Sequence, residues 1–212
     1  MKEELIKELQ KRIVKDPRIM EAFKSVPREH FVLSSHRNQA YEDRPLPILS
    51  GQTISQPSTV LMMTQALEIK EGMKILEIGS GSGYQAALLG KLVGTKGTVV
   101  STEILPELVQ FAQKNLDKVG IKNVSVVLHD GSSGYPSERF FDRIIVTASA
   151  SEIPGPLVKQ LKVNGVMVIP VGSFYSQSML QVRKTKNGKL MTKNLGQFIF
   201  VPLQGMHGRK DF

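Results

Sequence analysis

The stretch "LEIGSGSGYQ", residues 76–85, decides the fold. Ile75, Leu76 and Ile78 lead into it as an apolar strand, and the alanine- and leucine-rich run from Ala86 to Val93 follows it as a helix. Strand, glycine turn and helix in that order let a ligand approach the backbone at the positive end of the helix, which favours a nucleotide-like cofactor. A dinucleotide fingerprint needs a third glycine at position 84, where this chain has Tyr84. What stands instead is acid-x-Gly-x-Gly-x-Gly: Glu77, Gly79, Gly81 and Gly83, with Ser80 inside the turn.

Reading outward, strands and helices alternate. "MKILEI", "GTVVSTE", "VSVVLH", "FDRIIVTA" and "VMVIPVG" are short and continuously apolar, as strands buried on both faces of a parallel sheet must be. Helices lie between them, one opened by Pro106 and closed by Gly120. Beyond Gly172 the pattern alternates around Asn187-Gly188, which predicts an antiparallel C-terminal hairpin. Upstream, Leu5, Ile6, Leu9 and Ile13 mark a helix, and Asp16-Pro17 caps and opens a second. The expected fold is α/β: a doubly wound, Rossmann-like sheet, mostly parallel, with an N-terminal helical extension.

In such a sheet the strand ends at Ile78, Glu103 and Asp130-Gly131 meet on one edge, at the topological switch point. Glu103 there suits two ribose hydroxyls, and Asp130 lies beside the expected adenine. This layout fits S-adenosylmethionine. Taken singly, each element has a plainer reading: the glycines as an ordinary turn, Glu103 as a solvated strand end or cap, Asp130-Gly131 as a turn.

Composition bounds the rest. A chain of 212 residues, 41% hydrophobic, can bury one core, so we expect a single domain over 1–212. Within it, 1–56 would carry the N-terminal helices and a substrate or lid loop, 57–172 the cofactor-binding core, and 173–212 the C-terminal strands. The lid is suggested by the polar, proline-bearing stretch from Ser34 to Gln56, where periodicity disappears but Tyr41, Leu46, Ile48, Leu49 and Ile54 supply anchors. Absence of cysteine excludes disulfides and thiolate chemistry, and the four histidines lack ligand spacing, so no metal site is expected. A charge of +9 is compatible with acidic partners, but the basic residues are scattered, so neither nucleic acid nor a membrane is expected as a partner. With no signal peptide or spanning segment read, a cytoplasmic monomer is expected.

Outside the glycine turn, the runs "YEDRPLPILSGQTISQPSTV", "HDGSSGY", "FDRIIVTASA", "LKVNGVMVIPVG" and "FIFVPLQG" resemble, in order, the motifs of the protein-L-isoaspartate O-methyltransferases. The resemblance covers about Phe31 to Gln204. Ser132 departs from it, standing where the family often has a basic or aromatic residue, and Val163-Asn164 replaces the usual Pro-Gly. The resemblance implies methyl transfer from S-adenosylmethionine to the free α-carboxylate of L-isoaspartyl residues in damaged proteins and peptides, and leaves D-aspartyl acceptors open. It implies Ser55 as the active-site serine, against a local reading as the helix N-cap ahead of Pro57. It assigns Pro57, Ser58, Thr59, Val60, Ile78, Glu103, Ile104, Asp130, Gly131 and Gln204 to the cofactor, beside Glu77, Gly79, Ser80, Gly81 and Gly83 of the turn. It also sets the strand "IFVPL" along the substrate backbone. An RNA or small-molecule methyltransferase would share the cofactor residues; aromatics at 6% do not favour the stacking surface it needs.

Overall fold

The computed structural model describes residues 2–210. Two helices open the chain, α1 (Lys2–Arg12) and α2 (Pro17–Ser25), and Asp16 accepts the Arg18 N–H in a side-chain cap with Pro17 at the first helical position. Between α2 and α3 (Pro57–Ala66) the expected irregular stretch carries two 3-10 segments, Ser34–Gln39 and Leu49–Gly51, and a two-stranded antiparallel ribbon, β1 (Leu46–Pro47) with β2 (Thr53–Ile54). Leu46, Ile48 and Ile54 are buried and tie this ribbon to the core. Short polar pieces held by a few apolar anchors have no periodicity, which is why sequence showed only a loop.

The remaining strands are β3 (Lys74–Ile78), β4 (Thr98–Glu103), β5 (Val124–Leu128), β6 (Phe141–Val146), β7 (Leu161–Gly172), β8 (Gln177–Lys184) and β9 (Leu190–Phe198). They form one seven-stranded sheet in the order β5-β4-β3-β6-β7-β8-β9, parallel from β5 through β7 and antiparallel from β7 to β9. The chain leaves β3 on one side and returns on the other at β6, so the carboxyl ends of these two strands diverge and open a crevice. The sheet is the α/β, doubly wound architecture expected.

Successive side chains of a strand point to opposite faces, and both faces here are covered. Ile75, Val99, Ile145 and Val168 pack against α1 to α3, α4 (Tyr84–Val93) and α5 (Pro106–Lys118), with Ala86, Ala87, Leu88 and Leu89 of α4 fully buried. Leu76, Ile144, Met167 and Ile169 pack on the other face with α6 (Gly155–Gln160) and Leu203. Each such leucine or isoleucine contributes about 1.5–3 kcal/mol on burial. β9 is the contrast: it forms an edge, is mostly exposed, and reads as polar.

One local difference from expectation has a physical cause. β7 begins at Leu161 rather than Val166, taking in "LKVNG"; Asn164 adopts φ +62, and the register with β6 shifts between Phe141 and Arg143. A strand interrupted by a left-handed residue and a bulge reads as a turn in sequence. At the β8–β9 hairpin, Thr185 and Gly188 close the turn through Gly188 N to Thr185 O, 2.9 Å, with Gly188 at φ +79. Among the described residues, no helix is long and apolar enough to cross a membrane.

Candidate active site

A crevice open to solvent lies at the carboxyl ends of β3, β4 and β6, the place where such sheets bind ligands. Its floor is the glycine turn. Gly79 and Ser80 both donate their backbone N–H to the Thr102 carbonyl, at 2.9 and 3.1 Å, which pins the turn to the end of β4. Gly79, Gly81 and Gly83 all have positive φ, +92, +52 and +85, and the chain enters α4 directly from the last of them. At Gly79 a Cβ would lie 2.4 Å from Thr147 Oγ1, so no other residue fits without displacing the end of β6. Gly131 is equally confined, its hypothetical Cβ falling 2.1 Å from Thr102 Oγ1.

Glu103 ends β4 with its carboxylate against the turn. Oε2 accepts the Gly81 N–H at 3.0 Å, and Oε1 accepts those of Ile104 and Leu105 at 2.9 and 3.2 Å. Three backbone donors thus orient the carboxylate and leave about one of its roughly four acceptor positions open. Glu103 therefore organises the glycine turn as well as facing the crevice, a structural role that its position in sequence does not reveal.

Of the residues expected at a cofactor, Val60, Ile78, Gly79, Ser80, Gly81, Glu103, Ile104, Gly131 and Gln204 line the crevice, and Ser55 lines it with them. Pro57, Ser58, Thr59, Glu77, Gly83 and Asp130 are not in its wall. Gly83 packs instead against Ala112 of α5, where a Cβ would meet backbone at 3.2 Å. The Ser58 N–H is taken by Asp43 Oδ1 at 2.8 Å, so the loop supplies a cap for α3 from fifteen residues upstream.

Glu77 is fully buried beneath the turn. Ser101 Oγ donates to its Oε2 in a short hydrogen bond, Ser80 Oγ and Ser101 Oγ are 2.6 Å apart, and Oε1 has no partner. Burial pushes its carboxyl up to about 8, the Ser101 bond opposing this and the charge of Glu103 adding to it. Near neutrality Glu77 is a largely protonated acid supporting the turn from below.

Asp130 acts as a clasp. Its Oδ1 accepts Ser132 N–H at 3.0 Å and Ser132 Oγ at 2.6 Å, its Oδ2 accepts Met206 N–H at 2.7 Å, and Ser132 Oγ also accepts His207 N–H at 2.9 Å. Burial raises its carboxyl, but the Ser132 hydroxyl and the Met206 and Ser132 amides outweigh this and hold it below the usual carboxylate range. The clasp fixes the segment after β9 whose Leu203 and Gln204 close one side of the crevice. Ser132 is wholly buried here, so this is a place for a small side chain.

Ser55 sits between β2 and α3 with its hydroxyl in no hydrogen bond among the described residues. The N-cap position of α3 belongs to Gln56, which makes no side-chain cap bond and whose amide reaches Ser58 Oγ at 2.8 Å. Residues not assigned from sequence also contribute: Tyr84, Gln85, His129 and Thr147 enter the wall. Thr147 directly follows β6 and carries the same strand-end signal as Glu103, while Tyr84 and Gln85 open α4.

The residues fit an adenosine-type cofactor: a cradle that a Cβ at Gly79 or Gly131 would fill, an oriented carboxylate with an open acceptor position, and apolar walls from Ile78, Ile104 and Leu105. Comparison with known proteins agrees. Residues 1–208 match a family model described as Protein-L-isoaspartate(D-aspartate) O-methyltransferase. A protein-L-isoaspartate O-methyltransferase of Methanothrix thermoacetophila is 50% identical over 210 residues, covering 99% of this chain and 98% of that one. One from Pyrococcus horikoshii is 48% identical over 200 residues, covering 94% and 90%. A solved protein-L-isoaspartate O-methyltransferase superposes with a TM-score of 0.88 at 32% identity, over 98% of this chain and 67% of that one. A structure described as a putative family member from Plasmodium falciparum, in complex with S-adenosyl-L-homocysteine, gives 0.83 at 27% identity, over 96% and 98%.

Proposed function

The chain belongs to the protein-L-isoaspartate(D-aspartate) O-methyltransferase family, and from that premise we propose how its residues divide the work. It is an S-adenosylmethionine-dependent protein-repair methyltransferase acting on isoaspartyl residues. When bound, the cofactor supplies an electrophilic methyl group on a sulfonium sulfur. Glu103 accepts a ribose hydroxyl at its open acceptor position, Gly79, Gly81 and Gly131 give the backbone close approach, and Ile78 and Ile104 flank the base. Val60, Ser80 and Gln204 complete that wall. Pro57, Ser58, Thr59, Glu77, Gly83 and Asp130 act one step back, by shaping α3, the turn and the C-terminal clasp.

The acceptor carboxylate, with an ordinary pKa of about 4, is ionised at neutral pH and needs no general base. The chain's task is to align that oxygen with the methyl carbon at about 3 Å and to exclude water. We assign the alignment to Ser55, whose unengaged hydroxyl opens on the same crevice as Glu103; that shared crevice is the observation carrying the assignment. Gln52, Thr53 and Ile54 of the preceding ribbon form the adjoining wall and serve as the lid. The segment from Phe198 to Leu203 flanks the peptide, with Val201 and Pro202 at the crevice. In this reading residues 1–212 form one unit: helices and lid loop to 56, cofactor core from 57 to 172, and C-terminal strands from 173.

Ser55→Ala tests the assignment. Loss of one or two orienting hydrogen bonds is expected to lower kcat/KM for an isoaspartyl peptide by about 10–100-fold. Cofactor affinity, read by calorimetry, should stay near wild type. A lower thermal midpoint with unaltered turnover would assign Ser55 to the fold instead.

A further inference from the structure

Arg28 is fully buried, yet among the described residues no carboxylate lies within ion-pair distance of it. It stands in a 3-10 turn, Arg28–His30, between α2 and the lid segment. Its Nε donates to the Ala40 carbonyl at 2.7 Å and its Nη2 to the Ser55 carbonyl at 2.6 Å, while Nη1 has no partner. The guanidinium carbon lies 4.8 Å from the centre of the Tyr84 ring, and the buried Tyr84 hydroxyl engages the guanidinium side chain to side chain, a neutral group that brings no counter-charge. The neighbouring acids are occupied elsewhere: Glu29 accepts the Tyr41 hydroxyl at 2.7 Å, and Asp43 the Ser58 amide. Both residues that Arg28 touches on the crevice side, Ser55 and Tyr84, line the crevice.

A cation this deeply buried without a counter-charge is costly and needs a compensating reason to persist. Burial accordingly lowers the guanidinium's hold on its proton, Tyr84 and Tyr41 opposing, but an arginine remains charged at any working pH. Two neutral carbonyls offset part of the cost. The missing counter-charge is an anion, and the crevice beyond Ser55 and Tyr84 is where the acceptor carboxylate arrives on the reading above, on which this inference rests.

We propose that Arg28 is the positioning residue that recruits the acceptor carboxylate: it supplies a fixed positive field behind Ser55 and Tyr84 at the crevice wall. The field has a distinctive kinetic signature. Negative charge on the acceptor is greatest before transfer and is cancelled as the methyl ester forms. A cation behind it therefore favours the bound acceptor more than the transition state, so its removal weakens binding without slowing the chemical step. Loss of a merely structural prop would misplace Ser55 and lower kcat.

The test measures binding of an isoaspartyl peptide by calorimetry to enzyme saturated with S-adenosylhomocysteine, beside steady-state kinetics with S-adenosylmethionine. In Arg28→Met the peptide Kd should rise on the order of tenfold, as expected for removing one charge through an intermediate dielectric. Its kcat should be no lower than wild type, and S-adenosylhomocysteine affinity should be unchanged. Arg28→Lys lacks the planar fork that reaches Ala40 and Ser55, so its peptide Kd should fall between those of wild type and Arg28→Met. Unchanged peptide affinity in Arg28→Met, or a fall in kcat with affinity retained, overturns the proposal. Should Arg28→Met not fold, Arg28→Gln, neutral but able to donate to the Ser55 carbonyl, takes its place and is read in the same way: weaker peptide binding with kcat kept supports the proposal, and unchanged peptide affinity overturns it. Wild-type enzyme that neither binds nor methylates the peptide would instead refute the underlying functional reading.

Discussion

Glu103→Ala is expected to weaken S-adenosylmethionine binding by about ten- to a hundredfold, equivalent to the roughly 1.5–3 kcal/mol of hydrogen bonding to a charged acceptor. Two losses combine in that figure. A ribose hydroxyl loses its acceptor, and the amides of Gly81, Ile104 and Leu105 lose the carboxylate that holds them at 2.9 to 3.2 Å. Glu103→Gln separates the two, since the amide keeps one acceptor oxygen and removes the charge; it should fall between alanine and wild type. Calorimetry giving unchanged affinity in Glu103→Ala would remove Glu103 from the cofactor site.

The second large effect concerns stability rather than binding. Glu77 has a folded-state pKa of about 8 against an ordinary value of 4.5, because burial disfavours its charged form. A raised carboxyl binds its proton more tightly in the native than in the unfolded chain. Its contribution is therefore fully present below about pH 4.5 and is lost as pH rises towards 8, at up to about 1.4 kcal/mol per pH unit. Glu77→Gln, which imitates the protonated acid, should remove this decline. Urea denaturation of both proteins from pH 5 to 9 should give stability curves that diverge upward in pH, with the variant more stable at the alkaline end. Parallel curves would mean that Glu77 ionises normally.

Much of the fold was legible because parallel strands buried on both faces are rich in β-branched and apolar residues. Lys74–Ile78, Thr98–Glu103 and Phe141–Val146 announce themselves in that way, and Pro17, Pro57 and Pro106 mark helix starts. The glycine turn was legible because positive φ and close approach leave few other residues possible at Gly79. What stayed hidden depends on long-range partners. Nothing near Glu77 says that its side chain turns down to Ser101, twenty-four residues away, rather than up to the crevice. Likewise Asp130 reaches Met206 across seventy-six positions, and Arg28 reaches Ser55 across twenty-seven. Local pattern fixes which residues reach a strand end, whereas tertiary packing decides which way their polar atoms face.

The account stands most directly on acceptor choice. Two synthetic peptides of identical sequence, one with an L-isoaspartyl and one with a normal L-aspartyl residue at the same position, are incubated with the enzyme and methyl-labelled S-adenosylmethionine, and base-labile methyl ester is counted. The expected result is ester on the isoaspartyl peptide, abolished by base, with none above background on its aspartyl twin. Equal labelling of the two peptides, or labelling of neither while an RNA or a small molecule is methylated, would contradict the account.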